Sequence, residues 1–156
     1  MPTQAIPKPK RRLSEEEFRA WDAFQRAYSA TALALERAAE SRGGLPLIEH
    51  SLLAQIARGP ETGVRPSDLA GRGLLTRSGI TRALDRLEAD GLVARRVCPS
   101  DKRGFFVVLT PKGRHRLLRA APGHIRAIAK HFADPLTGEE LAVLTRALER
   151  IAASAG

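Results

Sequence analysis

The sequence predicts a mainly helical chain interrupted once, past its middle, by a small β-hairpin. Three observations predict it. Apolar residues recur at helical spacing on both sides of the centre, the pattern changes to two short β-rich runs after Gly91, and basic charge gathers around that change. With 156 residues there is room for one compact domain plus helices that serve assembly, and 43% apolar residues suffice for a core.

Residues 1–12 hold three prolines and four basic residues and read as a flexible basic tail, or as an arm lying along DNA phosphates. Ser14, with Glu17 three residues on, is a helix start, and Phe18, Trp21, Phe24, Tyr28, Ala32 and Leu35 form one stripe running to about Ser41. Arg42-Gly43-Gly44 ends that helix. Leu45-Pro46 opens a second, whose expected buried set is Leu47, Ile48, Leu52, Leu53 and Ile56, and Gly59-Pro60 stops it.

Pro66 suits the first turn of a short helix, with Asp68 near its positive end, Leu69 and Ala70 facing inward, and Gly71 and Gly73 keeping it short. Thr76 caps the next helix, in which Ile80, Leu84 and Leu87 share a face and Gly91 supplies the stop. Leu92–Val97 and Phe105–Leu109 read as two strands around a polar turn, Pro99–Gly104. Thr110-Pro111 opens a helix carrying Leu117, Leu118, Ile125, Ile128 and Phe132, bent by Pro122 beside Gly123. Thr137 with Glu140 caps a last helix, whose face is Leu141, Leu144, Leu148 and Ile151.

The formal net charge is +9, and its distribution says more than its size. Residues 65–116 carry twelve Lys/Arg against five Asp/Glu; the rest of the chain carries fourteen against twelve. A local excess of this kind marks a binding face for a polyanion. The single cysteine, Cys98, excludes an intramolecular disulfide and a cysteine-rich zinc site. No run approaches 18 apolar residues and no signal-peptide pattern is present, so a cytoplasmic protein without membrane contact is expected.

A short helix, a turn, a capped helix and a hairpin with a basic tip, all inside the charge maximum, make a winged helix-turn-helix. Burying Ile80, Leu84 and Leu87 turns Arg77, Ser78, Thr81, Arg82 and Asp85 outward, with Arg86 toward the edge. Arginine matches the O6 and N7 of guanine, threonine offers a hydroxyl and a methyl group, and Gly79 lets the backbone approach closely. Arg95 on the hairpin and Lys102 and Arg103 at its tip extend the surface; an arginine on a loop fits a narrow minor groove. Asp101 is assigned to holding Arg103 or Arg86 by a charged hydrogen bond. The expected DNA-contacting set is therefore Arg77, Ser78, Gly79, Thr81, Arg82, Arg86, Arg95, Asp101, Lys102 and Arg103.

Over residues 14–153 the sequence resembles the MarR family of bacterial transcription regulators. The resemblance is carried by residues 75–93, LTRSGITRALDRLEADGLV, by Asp101-Lys102-Arg103, and by Val108-Leu109-Thr110-Pro111-Lys112-Gly113. It implies a homodimer in which residues 13–156 form one regulator domain. The DNA-binding lobe spans about 46–115, and the dimerisation helices span about 14–41 and 111–153. It further implies a pseudo-palindromic operator, Ser78, Thr81 and Arg82 as contacts of the recognition helix, Arg103 as the minor-groove arginine with Asp101 its positioning partner, and repression relieved by a small aromatic effector. Three positions depart from the family pattern: Arg65 where a threonine cap is common, Gly73 for an apolar residue, and Gly79 for a threonine.

A cleft between the dimer helices and the DNA lobe is the expected effector site, with Trp21, Tyr28, His50, His124 and His131 as candidates to line it. Against this stands dimer or core packing for Trp21 and Tyr28, and ordinary surface or capping roles for the histidines, with no cluster that suggests a metal. Cys98 is a redox trigger or simply a small hairpin residue. No cofactor is expected. An enzymatic role finds little support, because no residues are placed as an acid/base pair or a phosphate loop. The alternative to a sequence-specific repressor is an architectural protein that binds duplex DNA without choosing sequence.

Overall fold

The computed structural model describes residues 11–41, 44–70, 77–98 and 101–155, and of residues 70, 77, 98, 101–103 and 155 the backbone alone. The expectations for the tail before residue 11, the Arg42-Gly43 stop, the Gly71–Thr76 turn and cap, and Pro99-Ser100 lie outside the described residues.

Helix α1 spans Glu15–Glu40 and starts on a complete capping box. The Ser14 hydroxyl accepts from the Glu17 N–H, and the Glu17 carboxylate accepts from the Ser14 N–H at 2.8 Å. Helix α2, Leu47–Arg58, begins without a side-chain cap of its own. Glu36 of α1 substitutes for it by accepting the Leu47 N–H at 2.8 Å, which ties the two helices at their junction.

Helices α3 (Pro66–Ala70) and α4 (Arg77–Ala89) follow, then strands β1 (Val93–Cys98) and β2 (Asp101–Leu109). The strands are antiparallel, pairing Val93 with Leu109 and Val97 with Phe105, and an irregularity between Val97 and Cys98 lets Cys98 pair with Asp101. Strand β2 thus begins at Asp101, and the expected six-residue turn is corrected: Asp101–Gly104 belong to the strand, with Asp101 paired to Cys98 and Lys102–Gly104 falling at the irregularity. Val64 adds an isolated bridge to Val107, with both N–H···O bonds made at 3.0 and 2.9 Å. A single bridging residue between Gly63 and Arg65 leaves no periodic signal in the sequence.

Helix α5, Pro111–Ile128, starts on a Thr110 cap, runs through Pro122, and continues into a π-helical turn, Ala129–Ala133. Helix α6, Gly138–Ala155, starts on the Thr137–Glu140 capping box. The core lies in the middle of the chain, where Leu53, Leu69, Ile80, Leu84, Leu87 and Val107 are almost fully enclosed. Ile48, expected inside, is exposed, and Leu45 and His50 are buried instead. The two flanking regions bury little: Phe18, Trp21, Phe24 and Tyr28 of α1 are exposed, and no residue of α6 from 138 to 154 is buried. Among the described residues no helix is long and apolar enough to cross a membrane.

Candidate nucleic-acid interface and the cavity behind it

Helix α4 has the two faces that its sequence spacing requires. Ile80, Ala83, Leu84 and Leu87 are buried in the core, at 2% exposure or less, while Ser78, Thr81, Arg82, Asp85 and Arg86 face outward. Gly79 is half-buried. The end of α4 is fixed closely. Gly91 takes a φ of 70°, the Leu92 N–H reaches back to the Leu87 carbonyl at 2.8 Å, and the Gly91 N–H to that of Glu88 at 2.9 Å. This is the Schellman closure, and it needs a residue that tolerates the left-handed region. Lys112 of α5 then donates to the Asp90 carbonyl at 2.6 Å, and the Thr110 hydroxyl to that of Gly91 at 2.7 Å. Those bonds set the direction in which the hairpin leaves α4.

The outward cations are not equivalent. Arg82 forms no ion pair among the described residues, so its guanidinium is available to a partner. Arg86 lies 3.7 Å from Glu49 of α2, a loose pair that leaves most of its side chain exposed. Arg95 is held: it pairs with Asp85 and, at 3.2 Å, with Glu88, both on α4, and its guanidinium lies 4.8 Å from the ring centre of Phe105. On β1 Arg96 and Val97 are exposed. Arg65, just ahead of α3, lies over Phe106 at 5.5 Å. Sequence reading missed this brace, since nothing in the spacing relates residues 65 and 106. Arg77 opens α4 and Asp101, Lys102 and Arg103 open β2; their side chains, the assigned Asp101 bond and the Cys98 thiol lie outside the described residues.

Behind this surface, where the end of α1 meets α2 and α5, is a cavity of about 180 Å³. It brings together His50 and His124, whose rings stack with centres 3.8 Å apart. The expectation of scattered surface or capping histidines is corrected here: His50 is buried and paired ring to ring with a residue 74 positions away. Burial, then the neighbouring His124 and Arg58 charges, push His50 down to about 4, and burial also lowers His124. Both are neutral near pH 7, and the buried Nε2 of His50 has no hydrogen-bond partner among the described residues. Arg116, Arg119 and Arg126 add positive charge to the wall, Arg116 also donating to the Gly44 carbonyl at 3.1 Å. Trp21 and Tyr28 do not line this cavity. Among the described residues no three His, Cys, Asp or Glu are placed to hold a metal ion.

Comparison with known proteins agrees with this geometry. Residues 43–104 match the family model described as MarR family. The fold superposes with a TM-score of 0.85 on Sco3205, a MarR family transcriptional regulator from Streptomyces coelicolor solved in complex with DNA, at 35% identity over 92% of this chain and 94% of that one. The chain is 30% identical to YkoM, an uncharacterized HTH-type transcriptional regulator of Bacillus subtilis, over 79% of each chain. It is also 40% identical to the HTH-type transcriptional repressor YetL of the same organism, over 44% of this chain and only 43% of that repressor's length.

Proposed function

The chain belongs to the MarR family of transcription regulators, and from that premise we propose that it is a homodimeric, ligand-responsive repressor that binds a pseudo-palindromic operator. The observation that carries the proposal is the outer face of α4: Ser78, Thr81 and Arg82 stand outward because Ile80, Leu84 and Leu87 are packed inward. A helix of that kind fits the major groove, and a hairpin beside it reaches the adjoining minor groove. Gly79 in place of a side chain lets α4 lie close to the bases, and the Arg77, Lys102 and Arg103 positions supply charge at either end.

Two copies are assembled by the surfaces that one copy leaves bare. The apolar stripe of α1 (Phe18, Trp21, Phe24 and Tyr28) and the apolar residues of α5 and α6 (Leu118, Ile125 and Ile151) are exposed in the single chain. Patches of this extent call for a partner surface. On this reading residues 14–41 and 111–153 form the dimer and residues 46–115 form the DNA lobe. The two recognition helices must then lie about one helical turn of DNA apart, roughly 34 Å.

The cavity between the two regions is the proposed effector site. Its arginines suit an anionic group, and the bare His50 Nε2 suits a hydroxyl donor, so a hydroxylated aromatic carboxylate is the proposed ligand class. Filling it shifts the lobes relative to the dimer helices and so changes the spacing of the reading heads.

The test is selection of duplex DNA from a random library by the purified full-length chain. An enriched inverted repeat with half-sites about ten base pairs apart is expected. Equal affinity for selected and scrambled duplex contradicts sequence-specific repression and favours the architectural role. No binding at low salt contradicts DNA binding altogether. Simple hydroxybenzoates are expected to release the selected duplex, and to lose that effect when Arg119 is replaced by alanine.

A further inference from the structure

We infer that Arg95 is a positioning residue that locks the hairpin to the recognition helix, and not a DNA contact; the inference rests on the DNA-reading role of α4 proposed above. Arg95 sits on β1, three residues into the segment that leaves α4. Its guanidinium bridges Asp85 and Glu88, which lie three residues apart and so on one side of α4. Its backbone N–H donates to the second Glu88 oxygen at 3.2 Å, and its guanidinium also covers the Phe105 ring of β2 at 4.8 Å. One side chain of β1 therefore touches the reading helix twice and the neighbouring strand β2 once.

A two-stranded hairpin is marginal on its own. Here its base is buried through Leu92, Val93 and Val107, while Arg96 and Val97 beyond it are exposed. The angle between α4 and the outer hairpin consequently depends on ties made just above the base, and Arg95 makes them on the face opposite Phe106, where Arg65 lies. Arg95 has a second effect. It neutralises two carboxylates beside the surface that would meet phosphate, and swinging out to contact phosphate would unmask both. A planar fork with donors on two edges can serve two carboxylates at once; an ammonium is a point charge and cannot hold the same geometry.

The test pairs Arg95→Lys with the double variant Asp85→Asn/Glu88→Gln, which leaves Arg95 in place and keeps an oxygen for its N–H. Amide exchange of the free protein is measured first. In both variants the amides of residues 93–97 and 104–108 are expected to exchange about tenfold faster, as two ion pairs and a ring contact open together, while α2 and α5 are unchanged. Binding is then compared on duplex selected by the wild-type protein and on a scrambled duplex of equal length. A positioning role lowers the ratio of the two affinities in both variants. A phosphate contact predicts otherwise: Arg95→Lys binds as wild type, and the double variant binds both duplexes more tightly with the ratio unchanged. That result, together with unaltered hairpin exchange, overturns the inference. If the wild-type protein binds no duplex, the exchange measurement still decides whether Arg95 locks the hairpin, and the failure falls on the proposed function alone.

Discussion

Gly113, in the first turn of α5, lies so close to Leu92 that a Cβ on it would stand 1.9 Å from the Leu92 carbonyl oxygen. The contact joins the first turn of α5 to the segment that carries the hairpin out of α4. It is possible only without a side chain, because the atom in the way is backbone.

Gly113→Ala is expected to force α5 off the Gly91–Val93 segment and strain the Thr110 bonds to Gly91 and Leu92. The loss is about 1–3 kcal/mol, the usual cost of overpacking, read as a lower urea midpoint. Gly123→Ala is the control. Nothing lies within 4 Å of its Cβ position, so it is expected to be neutral or to gain up to about 1 kcal/mol from helix propensity. Equal behaviour of the two variants contradicts the close approach.

The His50–His124 stack predicts a pH dependence. His50 titrates near 4 in the folded chain and near 6.5 unfolded, so between those values the unfolded chain binds more protons. Stability contributed by neutral His50 is therefore present above about pH 6.5 and lost as the pH falls toward 4, by at most about 3 kcal/mol. His50→Gln is expected to flatten the slope in that window, measured by urea unfolding at a series of pH values. A wild-type slope identical to that of the variant contradicts the buried neutral pair.

The bare stripe of α1 predicts that assembly is sensitive to charge there. Trp21→Glu or Phe24→Glu is expected to weaken self-association by about 30-fold or more, as for a central aromatic anchor, with helical content retained because neither residue is part of the single chain's core. Sedimentation equilibrium measures it; unchanged association contradicts the proposed dimer face.

Much of the fold was legible because it is local. The capping boxes at Ser14 and Thr137, the left-handed stop at Gly91 and the inward triad Ile80, Leu84 and Leu87 are relations over three to eleven residues, and the structure contains each. What was not legible is long-range. Glu36 capping the Leu47 amide, Val64 bridging Val107 and His50 meeting His124 link residues that only tertiary packing brings together. The exposure of Ile48 has the same origin: Leu45 precedes the helix, yet it is buried with His50 where α1, α2 and α5 meet, and Ile48 is left outside. For the site, the outward set on α4 followed from periodicity, but Arg95 did not. Its two carboxylate partners, Asp85 and Glu88, meet it only once β1 folds back along α4, so the spacing of the sequence does not reveal them.

If the outer face of α4 reads base edges, Arg82, exposed and without an ion pair among the described residues, is the side chain whose loss reveals it. The measurement is the affinity of Arg82→Ala and wild-type protein for a duplex selected by the wild type and for a scrambled duplex, at one salt concentration. A base contact by Arg82 leads to a loss of about 1–3 kcal/mol on the selected duplex and a much smaller one on the scrambled duplex, so that the ratio collapses. Equal losses on both duplexes would contradict it.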